Sequence, residues 1–193
     1  MAIRLITPSP PRLLTVEEWA RLATAHQYEL IDGVLRKRTV NQNRHEFAVG
    51  RLAHVVSGYL DRPGVIGSLF TSNTKYRVRA RRGIMPDLSV VLGAKVDAID
   101  PDAAFNSVGP DLGVEVLSPE QDADYIEERL SDYWKLGTTE VWIVDPRREA
   151  VTGYTREAHE FTVFAVAQHE EAFESRLLAG LSFSVRPIWM RRT

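Results

Sequence analysis

Residues 112–146 read LGVEVLSPEQDADYIEERLSDYWKLGTTEVWIVDP, and this stretch decides the fold. Two short apolar runs, Leu112–Leu117 and Val141–Val144, flank a segment whose apolar residues recur at helical spacing and which stops at Gly137. Ser118-Pro119-Glu120-Gln121 has the pattern of a capping box with proline at the first helical position, so we predict that the helix begins there. A strand, a crossover helix and a second strand form a βαβ unit, and we therefore predict that the two strands are parallel.

The flanking sequence supplies the other elements of an α/β protein. Upstream we predict a helix over 15–24, a hairpin of 28–31 and 34–36, a helix over 43–60 capped by Asn43, strands near 65–70, 75–78 and 88–92, and a loop over 93–110. Downstream we predict a meander of strands at 150–154, 161–166 and 183–188. The continuous apolar run at 141–144 is typical of a strand buried on both faces, so the fold class is α/β with a mixed β-sheet flanked by helices.

Length and composition indicate one globular domain. The 193 residues are 44% hydrophobic and 26% charged, and we expect a single domain over 1–193 with a flexible N-terminal arm over 1–13. The chain has no cysteine, which excludes disulfides, zinc-thiolate sites and cysteine nucleophiles. No apolar run approaches the length of a membrane span, about 18 residues, so we expect a cytoplasmic protein without a membrane partner.

Basic residues are concentrated in the first part of the chain. Residues 1–82 contain 14 Lys and Arg against 6 Asp and Glu, residues 83–193 contain 10 against 20, and the net charge is −2. This predicts either a basic face that binds phosphates or two halves that pair with each other. Four cations alternate along one predicted strand, where they form either a nucleic-acid-binding face or an ordinary solvated face: Lys75, Arg77, Arg79 and Arg81. Arg36-Lys37-Arg38 is a second basic cluster.

Two acidic residues lie at or within apolar strands, where an unpaired charge is costly. Asp87 follows Pro86 just before the run 88–92, and Glu115 lies inside the run 112–117. Neighbouring strands lie about 4.8 Å apart, so these two acids can share one cation. Asp111 is about 13 Å from Glu115 along the same strand, which is too far for it to be the partner. The other interpretation is that Asp87 and Glu115 are structural acids held by hydrogen bonds.

Three further residues are candidates for the same site. Arg129 lies within the apolar stripe of the predicted helix, where a buried cation needs an anionic partner unless its head group reaches solvent at the edge of the core. Glu29 lies beside the predicted Asp32-Gly33 turn. His45 lies on the apolar face of its helix, where a lone histidine is more often a core residue than a site residue.

An ordered set of motifs resembles the Uma-two family, a bacterial group of endonucleases with the restriction-endonuclease-like PD-(D/E)XK core. The set comprises 28–33 (YELIDG), His45, 86–91 (PDLSVV), 115–119 (EVLSP) and 140–146 (EVWIVDP), and the resemblance covers nearly the whole chain. It implies a restriction-endonuclease-like core with a Mg²⁺ or Mn²⁺ site made by Asp87 and Glu115, and an accessory acid at Glu29. It also implies a homodimer, by analogy with other members of the fold.

The sequence departs from the family pattern at the lysine of this fold. That lysine normally stands two residues after the glutamate, where this chain has Leu117. In the family it is often displaced to the following helix, four residues before a tyrosine, and that position here is Arg129. Arginine supplies a fixed positive charge but cannot act as a general base, because it does not lose its proton in a protein.

These observations lead to hypotheses from different classes. The first is metal-dependent hydrolysis of DNA phosphodiester bonds, with Asp87, Glu115, Arg129 and Glu29 as catalytic residues. The second is a nuclease-fold protein with impaired catalysis that acts as a nucleic-acid-binding or assembly module, which Leu117 and Arg129 favour. The third is a structural protein with no nucleic-acid role.

Overall fold

The structure is a computed structural model that describes residues 12–39 and 42–190. Nearly all of the N-terminal arm predicted over 1–13 therefore lies outside the described residues. The helices are α1 (Val16–Ala20), α2 (Asn43–Leu60) and α3 (Ala123–Leu136). The strands are β1 (Tyr28–Ile31), β2 (Val34–Lys37), β3 (Gly67–Thr71), β4 (Tyr76–Arg79), β5 (Arg82–Ile84), β6 (Leu88–Leu92), β7 (Leu112–Val116), β8 (Glu140–Asp145), β9 (Ala150–Arg156), β10 (Phe161–Gln168), β11 (Ala172–Glu174) and β12 (Ser182–Ser184).

The largest sheet has the predicted βαβ unit at its centre. Its six strands lie in the order β10-β9-β8-β7-β6-β3. β7 and β8 are parallel, and every other neighbouring pair in this sheet is antiparallel. The predictions of a mixed sheet and of a parallel β7–β8 pair are therefore confirmed.

The two long helices pack on opposite faces of this sheet. Successive side chains of a strand point to opposite faces. Trp142 of β8 belongs to the core formed with α2, whereas Ile143 packs with Tyr133 of α3. A side chain added at Gly113 of β7 would collide with Tyr133, so Glu115, two residues further along, also lies on the α3 face.

A second sheet of four strands, in the order β2-β1-β5-β4, contains the predicted hairpin. Its turn residues Asp32 and Gly33 have φ angles of 52° and 88°, the left-handed conformation that a two-residue hairpin turn requires. The turn fixes the register, and Glu29 of β1 lies opposite Arg36 of β2. β11 and β12 form a separate two-stranded ribbon.

In the N-terminal half of the chain, two helices differ from their predictions. The Thr15–Glu18 capping box of α1 is formed, but the helix ends at Ala20 instead of near residue 24. A short 3₁₀ turn at Ala25–Gln27 follows. α2 has the predicted bounds, but its N-cap is Gln42, which makes no side-chain capping bond, and Asn43 is already helical.

Two boundaries in the second half were also predicted wrongly. Gln121 accepts the N–H of Ser118 at 2.8 Å, as in a capping box, but α3 starts only at Ala123 because Asp122 provides the cap by accepting the N–H of Tyr125. The segment 183–188 is not a strand of the main sheet: β12 pairs with β11, and a 3₁₀ turn at Arg186–Ile188 follows. In the part of the chain that the structure describes, no helix combines the length and apolar character needed to cross a membrane.

Candidate active site

Asp87 and Glu115 line one cavity, at the place where β6 begins and β7 ends. Leu88 of β6 pairs with Val114 of β7, so the residues just beyond this pair, Asp87 and Glu115, lie next to each other along the two strands. The same cavity is lined by Glu29, Arg36, Arg38, His45, Tyr125 and Arg129. The structure therefore brings together the two acids, the accessory acid and the arginine that the sequence singled out.

Asp87 is held through one of its two oxygens. Its Oδ2 accepts the N–H of Val116 at 2.8 Å and lies 3.1 Å from Nε2 of His45. Burial favours the neutral form of His45, but the carboxylates of Asp87 and Glu46 together outweigh this effect and raise the pKa of the imidazole. Oδ1 lies 3.6 Å from Nη2 of Arg38, and within the described residues it accepts no hydrogen bond. One oxygen thus fixes the side chain while the other stays available to a ligand.

Glu115 is surrounded by tyrosine hydroxyls. Tyr133 donates to its Oε1 at 2.7 Å, and Tyr125 donates to its Oε2 at 3.0 Å. Burial, together with the negative charges of Asp87 and Glu29, raises the pKa of Glu115 to about 7 against the opposing charge of Arg129. Burial also raises the pKa of both tyrosines well above the usual range, so they remain hydrogen-bond donors. The two tyrosines thus fix the position of the Glu115 carboxylate, but its negative charge is poorly compensated.

Arg129 of α3 connects three groups of the cavity and is only 3% exposed. Its Nη2 donates to Oε2 of Glu29, and its Nε donates to the hydroxyl of Tyr125 at 2.9 Å and lies 3.5 Å from Oε1 of Glu115. Glu29 is fixed from its other side, because its Oε1 accepts the N–H of Met85 at 2.9 Å. Nη1 of Arg129 is buried and has no hydrogen-bond partner among the described residues. A buried guanidinium N–H without an acceptor is costly, which points to an anion as the missing partner.

The oxygens of Asp87 and Glu115 suit a hard divalent cation. Mg²⁺ prefers oxygen ligands, keeps several waters and commonly takes one or two carboxylates from a protein. Asp87 offers Oδ1, and each Glu115 oxygen keeps a lone pair beyond its tyrosine bond. Among the described residues no set of three or more His, Cys, Asp or Glu side chains is arranged to hold a metal ion. Asp87 and Glu115 could hold such an ion as two carboxylate ligands, with water in its other positions.

The predicted basic stripe lies apart from this cavity. It belongs mainly to β4, at the opposite edge of the four-stranded sheet from β2. Arg77 pairs with Glu17 and Arg79 with Asp32, while Nζ of Lys75 lies 5.9 Å from the ring centre of Trp19. The residues that line the cavity do not include the stripe: Lys75, Arg77, Arg79 and Arg81. The basic side chains that do line it belong to the second cluster, Arg36-Lys37-Arg38.

Sequence analysis missed the roles of several side chains in the cavity. Tyr125, Arg129 and Tyr133 are spaced by four residues and so lie on one face of α3, but tyrosine in an apolar stripe is equally typical of a core residue. The position of Arg36 opposite Glu29 could have been predicted from the sequence, because the two-residue turn fixes the register of the hairpin.

The mixed sheet, its flanking helices and the two acids at adjoining strand ends define a nuclease-type fold of the restriction-endonuclease-like class. The chain belongs to the Uma2 family, whose sequence model, described as "Putative restriction endonuclease", matches residues 15–186. A crystal structure described as "a putative nuclease belonging to DUF820 from Anabaena variabilis" has the same fold, with a TM-score of 0.74 and 22% sequence identity. The match covers 91% of this chain and 97% of that chain. No curated protein matches this sequence.

Proposed function

We propose that this protein is a metal-dependent endonuclease that hydrolyses DNA phosphodiester bonds. The observation that carries the proposal is that Asp87, Glu115 and Arg129 line one cavity, where Nη1 of Arg129 is buried and no described residue accepts a hydrogen bond from it. Two carboxylates suit Mg²⁺ or Mn²⁺, and an unpaired guanidinium N–H beside them suits a phosphate oxygen. Membership of a family described as restriction endonucleases supports the same substrate class.

Asp87 and Glu115 would hold the ion, which when bound polarises the scissile phosphate and lowers the pKa of a water molecule. Val116 and His45 hold Oδ2 of Asp87, so that Oδ1 remains for the ion. Arg129 would donate from Nη1 to a non-bridging phosphate oxygen and offset the charge that develops during hydrolysis. Its fixed protonation makes it an electrostatic group and not a base.

The second hypothesis, a binding or assembly module with impaired catalysis, is favoured by this same residue. Arg129 stands where the family often has a lysine, and its guanidinium is tied to Glu29 and Tyr125. Salt-sensitive DNA binding without cleavage in any metal, and no gain of cleavage in Arg129→Lys, would support this alternative over the endonuclease.

The direct test is nicking of supercoiled plasmid DNA in Mg²⁺, in Mn²⁺ and in EDTA. We expect metal-dependent nicking by the wild type, and a decrease to the EDTA level in Asp87→Ala and Glu115→Ala. Asp111→Ala is the matched control. Asp111 directly precedes β7, the strand that carries Glu115, but it pairs with Lys95 outside the cavity. Equal nicking by the wild type and by both cavity variants would exclude this site.

Two further parts of the proposal concern partners. We propose that Lys75, Arg77, Arg79 and Arg81 bind the DNA backbone outside the catalytic cavity, which requires Arg77 and Arg79 to exchange their acidic partners for phosphates. Substituting the four together should then reduce DNA affinity most strongly at low salt. We also propose a homodimer, by analogy with the fold, and light scattering of the purified protein would test it.

A further inference from the structure

Arg36 occupies a defined position at the cavity although it lies on an exposed hairpin. It is the cross-strand partner of Glu29 in the β1–β2 pair, so the two side chains lie on the same face. Its Nη2 is 3.7 Å from Oε2 of Glu29, the oxygen that also accepts from Arg129. Two guanidinium groups, one from the small sheet and one from α3, therefore share a single carboxylate oxygen.

A chain of ion pairs through Glu128, Arg82 and Asp132 fixes the Arg36 guanidinium. Its Nη1 donates to Oε2 of Glu128 at 2.6 Å. The other Glu128 oxygen accepts from Nη2 of Arg82 at 2.5 Å, and Arg82 makes two hydrogen bonds to Asp132. Arg82 and Asp132 are 5% and 0% exposed, so the far end of this chain is anchored in the interior. Burial disfavours the charged form of Glu128, but the two arginines outweigh it and lower its pKa.

The inner edge of Arg36 lacks an acceptor. Within the part of the chain that the structure describes, Nη2 is buried without a hydrogen-bond partner, although the side chain as a whole is 40% exposed. Nη1 of Arg129, in the same cavity, is in the same state. Ion pairing fixes each guanidinium, while one nitrogen of each has no hydrogen-bond acceptor among the described residues, which is the arrangement that a phosphate with several acceptor oxygens would complete.

We propose that Arg36 binds a backbone phosphate of the nucleic acid next to the metal-binding acids, and that Glu128 is the positioning residue that holds it there. This inference rests on the proposed function for the chemical identity of its ligand. It places the substrate between β2 and α3, on the cavity side of the small sheet, and it assigns to Arg36 the phosphate contact next to the one that Arg129 makes.

The test is binding of a short fluorescein-labelled DNA duplex, measured by anisotropy in Ca²⁺ between about 50 and 200 mM salt. Arg36→Gln should raise Kd about tenfold and reduce the magnitude of the log–log salt slope by about 0.9, the value for one lost phosphate contact. Arg36→Lys should keep the salt slope and lose part of the affinity, because lysine retains the positive charge but lacks the planar guanidinium that donates two hydrogen bonds. Glu128→Gln should weaken DNA binding because Arg36 is no longer held in position, and it should leave the salt slope near that of the wild type.

Arg186→Gln is the matched control, because Arg186 is an exposed arginine paired with Glu170 away from the cavity. Equal salt slopes and affinities in Arg36→Gln and Arg186→Gln would overturn the proposal, as would absence of salt-dependent DNA binding by the wild type. Melting temperatures of all variants separate a folding defect from a binding defect, since a purely structural role would lower Tm and leave the slope unchanged. If the wild type binds DNA with the expected Arg36 dependence but never cleaves it, the endonuclease fails while this inference holds.

Discussion

Replacing Glu115 with glutamine should stabilise the metal-free protein at pH 8, although the side chain is only 2% exposed. Burial, together with the charges of Asp87 and Glu29, raises the pKa of Glu115 from 4.5 to about 7 despite the attraction of Arg129. One pKa unit corresponds to about 1.4 kcal/mol, so keeping this acid ionised costs the native state roughly 3 kcal/mol relative to an ordinary glutamate. Glutamine removes the charge and keeps the size.

The substitution also has a cost. The amide oxygen can accept from one tyrosine and the amide nitrogen can donate to the oxygen of the other. Rearranging these hydrogen bonds costs about 1 kcal/mol. The ion pair at 3.5 Å with Arg129 is also lost, but its attraction is already included in the pKa of about 7, and Arg129 keeps Glu29. The net expectation is stabilisation by about 2 kcal/mol at pH 8, which corresponds to an increase in Tm of about 4–8 °C for a domain of this size.

The effect should depend on pH with a definite sign. An acid whose pKa is higher in the folded than in the unfolded chain contributes stability at low pH, and this is lost as the pH rises from 4.5 to about 7. The wild type therefore loses stability over this range and Glu115→Gln does not, so the difference should approach zero at pH 5. Urea denaturation of both proteins in EDTA at pH 5 and pH 8 measures this difference in the free energy of unfolding.

Glu140→Gln is the matched control and should have the opposite effect. Glu140 is 0% exposed, but its oxygens accept from Trp142 (2.6 Å), Ser175 (2.7 Å) and the backbone N–H groups of Arg176 (3.0 Å) and Leu177 (2.8 Å). An amide nitrogen must face one of these donor pairs, which costs about 1–3 kcal/mol at either pH. If Glu115→Gln destabilises the protein at pH 8 as Glu140→Gln does, the electrostatic argument for the cavity is refuted.

Two further predictions concern the support of the site. Asp132→Asn should destabilise the protein by about 3–5 kcal/mol in urea denaturation, because Arg82 is 5% exposed and would lose its main partner; an unchanged midpoint would show that the pair is not buried in solution. Gly113→Ala would place a Cβ 2.3 Å from Cε1 of Tyr133, so it should lower stability by about 1–3 kcal/mol and reduce the proposed nicking of plasmid DNA. Gly50→Ala, on α2 with no atom within 4 Å of the added Cβ, should instead stabilise the helix by about 0.5–1 kcal/mol, and the same direction in both glycine variants would contradict this packing argument.

The central part of the fold could be predicted because its signals are local. The apolar runs of β7 and β8 and the helical stripe between them need no distant partner to be recognised, and the two-residue turn at Asp32-Gly33 fixes the hairpin register by itself. The division into two sheets was not predicted. It depends on Leu30 of β1 pairing with Gly83 of β5, a contact that no local pattern encodes.

Long-range charge pairs account for most of what the sequence could not provide. Charged helical residues are usually solvent-exposed, so nothing in the sequence indicated that Asp132 would be buried against Arg82. The four cations alternate in the sequence, but only Arg77 and Arg79 lie in β4, where the register shifts between them, and Arg81 lies in the turn that follows. The acids that pair with Arg77 and Arg79 come from α1 and from the hairpin turn. Residue types and spacing therefore supplied candidates, whereas tertiary packing decided which cations face the cavity.

The buried acids themselves give the best criterion for separating a functional site from structural charge. Glu140 has four donors and Asp132 has a bidentate arginine, so each is compensated within the protein. Glu115 is as deeply buried, yet its neighbours include two further acids and leave its pKa near 7. A fold selected only for stability would not keep this arrangement, because neutral residues of the same size would cost less. Three acids, Glu29, Asp87 and Glu115, meet in one cavity beside guanidinium nitrogens that lack hydrogen-bond acceptors among the described residues, and this favours a site for a cation and a phosphate over a set of structural acids.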